Sequence, residues 1–200
     1  KGTIRELDLF VLDKALRQVD EWRRKGLRTL PVSVNYSRVT LLYPSTLAST
    51  LAIQSRYPSL PPNSLELEIT EGSDVIKNRE FRNLVDRFRT YGLRIGLDDF
   101  GSRYANLSLF TSVTFDTVKL DRSLISELAD NTVNRMLVHD IVQICRKRGM
   151  KCIAEGVETE EQKNALLQMG CHEAQGFYYD RPLTAEQFEE KYLKKEQTGL

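Results

Sequence analysis

The chain has 200 residues, 40% of them hydrophobic and 28% charged, with a formal net charge of +1. That is the make-up of an ordinary globular protein with enough chain for a substantial core. It lacks the basic excess that a duplex nucleic-acid groove needs, has no apolar run of the ~18 residues that span a bilayer, and opens on no signal peptide.

In chain order, Ile4, Leu7, Phe10, Val11, Ala15, Val19 and Trp22 recur at helical spacing and predict a long amphipathic helix ending near Gly26. A strand follows over Leu30–Asn35. Pro44-Ser45 with Leu47 and Leu51 predicts a second helix that stops before Pro58. Leu65–Thr70 reads as a strand, Phe81 to Phe88 as a helix closed by Gly92, and Leu93–Asp98 as a strand. A short helix is expected over Tyr104–Phe110 and a strand over Asp116–Leu120. Met136, Val138, Ile141, Val142 and Cys145 mark a helix ending at Gly149. Lys151–Ala154 is a strand, Thr159–Met169 a helix, Ala174–Phe177 the last strand and Thr184–Tyr192 the last helix. Strict alternation of strand and helix predicts a mainly parallel α/β sheet covered by helices. No repeat, linker or low-complexity stretch divides the chain, so residues 1–200 are expected to form a single domain.

The apolar runs share an ending. Leu65–Thr70 carries Glu68 and leads to Glu71; Leu93–Leu97 leads to Asp98-Asp99; Thr117-Val118 leads to Lys119 and Asp121. Met150–Ala154 leads to Glu155 and Glu158, and the earliest run ends in Asn35. If each run is a parallel strand, these groups gather at one end of the sheet, where α/β enzymes hold their chemistry. Adjacent carboxylates such as Asp98 and Asp99 repel unless a cation sits between them, although acidic pairs are also common in solvated turns. Lys119 could hold a water or phosphate oxygen, or simply pair with Asp121. Taken together, the oxygen-rich set suits Mg²⁺ or Mn²⁺ rather than zinc. His139 and His172 have no partner at ligand spacing, and there is no nucleophile elbow, Walker loop or dinucleotide fingerprint. Two hard cations with few protein bases suit hydrolysis of a phosphodiester. The scattered cysteines Cys145, Cys152 and Cys171 suit a reduced cytosolic protein, with buried thiols in place of a disulfide framework.

These motifs resemble the EAL-domain family of bacterial cyclic di-GMP phosphodiesterases. Asn35-Tyr36-Ser37, Glu68 with Glu71, Asp98-Asp99-Phe100-Gly101, Lys119-Leu120-Asp121, Glu155-Gly156-Val157-Glu158 and Gln175-Gly176-Phe177 fall in the family's order. The resemblance implies metal ligation by Asn35, Glu68, Asp98, Asp99 and Glu155, and catalytic roles for Lys119, Glu155 and Asp121. It also implies substrate contacts at Gln175, Gly176 and Glu158, and a loop-stabilising role for Glu71. The fold implied is a (β/α)8 TIM-like barrel, incomplete at its N-terminus. The reaction implied is metal-dependent hydrolysis of cyclic di-GMP to linear pGpG with two Mg²⁺ or Mn²⁺ ions.

The chain departs from the family in two places. The Glu-Ala-Leu motif, expected about two strands before Asn35, is absent, and the chain starts at Lys1 without methionine. Residues 1–200 alone are therefore expected to be a weak or inactive enzyme, with activity returning when the upstream segment is restored. The loop after Asp99 reads Ser102-Arg103-Tyr104-Ala105-Asn106, with arginine where the family has glycine. A cytoplasmic domain is expected, in a parent that carries sensory or GGDEF domains upstream and is membrane-anchored in some arrangements; a homodimer fits the family. The alternatives are a non-hydrolytic cyclic di-GMP receptor or structural module, and a metal hydrolase of another phosphodiester.

Overall fold

Thr3 caps the first helix reciprocally: its hydroxyl accepts from Glu6 N at 3.3 Å, and the Glu6 carboxylate accepts from Thr3 N at 2.7 Å. From there the computed structural model describes residues 3–70, 78–102, 107–128 and 130–194. Glu71 and Arg103, both singled out from the sequence, lie outside the described residues.

The elements in chain order are α1 (Ile4–Arg24), β1 (Val32–Asn35), α2 (Arg38–Leu42), α3 (Thr46–Gln54), β2 (Leu65–Thr70), α4 (Asn78–Thr90) and β3 (Arg94–Phe100). They continue with α5 (Leu107–Ser112), β4 (Thr117–Leu120), α6 (Arg122–Ser126), α7 (Thr132–Lys147), β5 (Lys151–Ala154), α8 (Glu160–Gln168), β6 (Glu173–Ala174) and α9 (Ala185–Phe188), which runs into a π turn, Glu189–Leu193. The chain divides into two compact units: residues 1–68, 91–93 and 182–200, and residues 69–90 and 94–181.

In the first unit β1 and β2 pair in parallel, Val32 opposite Leu65 and Asn35 opposite Glu68. The buried face of α1 differs from the expected stripe. Leu12, Leu16 and Val19 are buried with Asp8 and Asp20, whereas Ile4, Leu7, Phe10 and Val11 are exposed. The helix carries two apolar stripes, and the polar contacts choose between them. Asp13 accepts from Tyr57 Oη at 2.6 Å and pairs with Arg56 at 3.1 Å. Asp20 accepts from Ser59 Oγ and pairs with Arg24 at 2.8 Å. Trp22 stacks on Phe188 with ring centroids 5.7 Å apart, and its Nε1 donates to Glu189 at 3.0 Å, so α1 holds the C-terminal helix.

In the second unit β3, β4, β5 and β6 are parallel neighbours in chain order. Sequential parallel pairing with intervening helices is the winding of a β/α barrel; a doubly wound sheet would reverse its strand order. The core between sheet and helices includes Ile95, Leu97, Phe100, Phe110, Phe115, Val118 and Leu120, closed by Val138, Ile141, Val142 and Cys145 of α7. Met136, expected on that α7 face, is exposed. The strand through Asp98 runs two residues further than expected, to Phe100, and the last strand is shorter, ending at Ala174. Two short helices escaped the sequence reading because five residues show no period; each is started by a cap, Ser37 for α2 and Asp121 for α6.

Arg148, just past α7, ties that helix to the segment before β4. Its guanidinium donates to the carbonyls of Phe110 and Val113, the latter at 3.0 Å, and to Thr114 Oγ1 at 3.1 Å. Arg148→Ala strips a donor from carbonyls beside the buried Val113, which is expected to cost about 1–2 kcal/mol. A thermal melt checks this, and an unchanged midpoint would assign Arg148 no structural role.

Candidate active site

The ends of β3, β4 and β5 bring a cation and three acids together. Leu97 lies opposite Val118, and Phe100 opposite Leu120, so three steps on β3 face two on β4. The extra residue makes a bulge at Asp98-Asp99, and Asp99 takes a left-handed backbone with φ 57°. A bulge re-aims side chains that would otherwise alternate. Asp98, Asp99 and Glu155 accordingly present carboxylate oxygens within 4.8 Å of one another, close enough to share a cation. Asp98 and Asp99 thus turn together through a bulge within the strand, which runs on to Phe100.

Lys119, on β4, lies among these acids. Its Nζ is 2.7 Å from Glu155 Oε1 and 2.9 Å from Asp98 Oδ1, with the lysine side chain 9% exposed. The contact with Asp98 is an ion pair and lacks hydrogen-bond geometry. Burial pushes the Glu155 carboxyl above its ordinary value; Lys119 opposes the rise, and Asp98 and Asp99 add to it. Gln175, just past β6, donates from Nε2 to Glu155 Oε1, fixing the rotation of that carboxylate.

The other expected residues are placed as follows. Asp121 caps α6, its Oδ1 accepting from Ser123 N at 2.9 Å. Glu158 pairs with Arg122 at 2.7 Å. Gly176 lies against the Val157 backbone, where Tyr178 N donates to Val157 O at 3.0 Å and Val157 N donates to Gln175 O at 3.1 Å. In the first unit, Glu68 is buried and Asn35 exposed at the paired ends of β2 and β1, and Tyr36 N donates to Glu68 O at 2.8 Å.

Two residues near these groups were not singled out from the sequence. Asp8 of α1 is buried and accepts from Ser37 N at 2.9 Å, holding the turn after Asn35. The signal was there, since Asp8 precedes Leu12 by four residues on one helix face. Arg122 lies over Gly156, where a Cβ would come within 2.4 Å of its Cγ. Nothing in its spacing announces that.

The profile of the family described as EAL domain matches residues 1–182. This chain belongs to the EAL domain family. The EAL domain is 33% identical over 186 residues to a protein of Pseudomonas aeruginosa named bifunctional diguanylate cyclase/cyclic di-GMP phosphodiesterase MucR, covering 93% of this chain and 27% of that protein. It is 32% identical over 198 residues to the cyclic di-GMP phosphodiesterase PdeR of Escherichia coli, covering 97% of this chain and 30% of that one. The chain thus spans under a third of the length of these curated relatives. Among solved structures, the EAL domain of Mycobacterium smegmatis DcpA matches with a TM-score of 0.88 at 33% identity, over 96% of this chain and 86% of that one. A PaMucR phosphodiesterase–c-di-GMP complex matches at 0.82 and 33%, over 92% and 74%. The EAL domain therefore has the α/β fold of the (β/α)8 TIM-like barrel class, with six strands among its described residues. None of its described helices is long and apolar enough to cross a membrane.

Proposed function

We propose that the parent of this EAL domain hydrolyses cyclic di-GMP to linear pGpG, with two Mg²⁺ or Mn²⁺ ions held at the ends of the strands. The observation that carries this reading is the trio of carboxylates from Asp98, Asp99 and Glu155 within 4.8 Å, with Lys119 bonded into it. An all-oxygen donor set suits hard divalent ions. Asn35 and Glu68 are the further oxygen ligands in this reading. The names of MucR and PdeR, and the c-di-GMP bound in the PaMucR complex, supply the substrate. Residues 1–200 act as one EAL-type domain, supported by a family match over 1–182.

Bound divalent ions would lower the pKa of a coordinated water and neutralise phosphoryl charge. The chain's own groups do the rest. Glu155, with its carboxyl raised by burial, is suited to take a proton from an attacking water. Gln175 holds that carboxylate in place, and Lys119 offers a positive charge to the water or phosphate oxygen. Asp121 acts through its cap on α6, which fixes the chain two residues past Lys119. Glu158, paired with Arg122, and Gly176 shape the rim where the substrate would lie. A GGDEF or sensory domain upstream, a homodimer and a cytoplasmic position belong to the same reading; duplex nucleic acid does not.

The test uses the intact parent with cyclic di-GMP and Mn²⁺, following pGpG by chromatography. Turnover should disappear with EDTA and fall on the order of a hundredfold or more in Asp98→Asn, because the loss of a direct ligand exceeds the 10–100-fold typical of outer partners. Tight nucleotide binding with no product from the wild-type protein would replace the enzyme with a receptor.

A further inference from the structure

The three cysteines, scattered in sequence, meet in the second unit on the side of β5 that faces α7. The Cys152 thiol lies beside those of both Cys145 and Cys171. Cys171 Sγ also lies 3.5 Å from the carbonyl oxygen of Cys152 and 3.4 Å from that of Glu173. Ile153 lies opposite Glu173 and Ala154 opposite Ala174, a register that carried one step back sets Cys152 against His172 and Cys171 one position off. Strands about 4.8 Å apart with a rise of about 3.3 Å per residue put such a diagonal at roughly 6 Å, within the Cα span that a disulfide bridges. A cavity of about 340 Å³ opens beside them. Cys152 lines it, as do Gly170 and His172, the two neighbours of Cys171. Cys145, in α7, and Cys171 are both buried.

We propose that Cys152 and Cys171 are a peroxide-oxidisable thiol pair that closes a disulfide between β5 and the start of β6. No role in phosphodiester chemistry is assigned to either residue, so the proposal stands independently of the hydrolase reading. Cys152, which lines the cavity, is the thiol that peroxide reaches, and the buried Cys171 resolves it. The Cys152 sulfur, having given up its proton, attacks one oxygen of hydrogen peroxide; the O–O bond breaks, leaving a sulfenic acid on Cys152, and hydroxide departs as water after taking that proton. The Cys171 sulfur then attacks the sulfenic sulfur, the S–S bond forms, and the sulfenic oxygen leaves as a second water carrying the Cys171 proton. Two thiols and one peroxide give one disulfide and two waters, with two electrons passing from sulfur to oxygen.

The bridge would tie the strands near their starts, while Glu155 and Gln175 bond each other at their far ends.

Trypsin separates the three cysteines, because Cys145, Cys152 and Cys171 fall in residues 136–146, 152–163 and 164–191. The full chain is treated with hydrogen peroxide, denatured, alkylated and digested without reductant. The expected result is a cross-linked peptide joining 152–163 to 164–191, recovered from monomeric protein and released by dithiothreitol. Free thiols should drop from three to one per chain. Cys145→Ala should keep the cross-link and Cys171→Ala should abolish it. A cross-link joining 136–146 to 152–163, sulfinic acid on a single cysteine, or three thiols that survive the peroxide would each overturn the proposal.

Discussion

Lys119→Met is expected to destabilise the metal-free protein by about 3–5 kcal/mol, the usual cost of removing one partner from a buried ion pair. Lys119 lies 2.9 Å from Asp98 and 2.7 Å from Glu155, and the exposures of the three side chains are 9%, 12% and 15%. Methionine fills most of the volume but leaves the acids facing one another. The deficit should depend on pH, with a definite sign. Glu155 already has a folded pKa above its unfolded one, so its contribution to stability is complete below the unfolded value and is lost as pH rises through the folded value. Without Lys119 the folded value rises further. The gap between variant and wild type should therefore be smallest in acid and widen towards neutral pH. Urea melts at several pH values measure it. A gap that is flat, or that narrows towards neutrality, would mean that Lys119 does not neutralise this cluster.

Gly176→Ala is expected to be nearly as damaging, for a steric reason. A Cβ there would lie 2.1 Å from Val157 O and 2.3 Å from Val157 N. Those backbone groups already bond Tyr178 N and Gln175 O, so neither can retreat. A loss on the order of 3–5 kcal/mol follows, in the range of severe core overpacking, and Gln175 should be displaced from Glu155. Gly156→Ala is the control. Its Cβ would meet the flexible Arg122 side chain, and its φ of 70° adds a left-handed penalty, for about 1–2 kcal/mol in all. At roughly 2–4 °C per kcal/mol for a chain of this size, thermal melts should rank the two clearly. Equal midpoints would refute the close approach at Val157.

The strand centres were legible because each is a short apolar run stopped by a polar group, and Leu65–Thr70 and Lys151–Ala154 were placed to the residue. The meeting of Asp98, Asp99, Lys119 and Glu155 followed from parallel strands that share one end. The bulge did not, since an extra residue is defined only against a partner's register. On α1 the period was visible but not the choice between two apolar stripes; buried Asp8 and Asp20 accompany Leu12 and Leu16, against the rule that charge points outward. The ion pair of Arg122 with Glu158 and the contacts of Cys152 join residues far apart in sequence, where no local period reports them.

The chain has one tryptophan, and its surroundings make it a selective optical probe. Trp22 is stacked on Phe188 and bonded through Nε1 to Glu189, so its emission reports whether the C-terminal helix is docked on α1. Lys119 and Gly176 belong to the other compact unit. Far-ultraviolet circular dichroism sees the helices of both. In the Lys119 and Gly176 variants, fluorescence and dichroism melts that coincide would mean that the damage spreads through the whole chain. If the fluorescence melt lagged, the segment around Trp22 would be holding its fold while the acid cluster came apart.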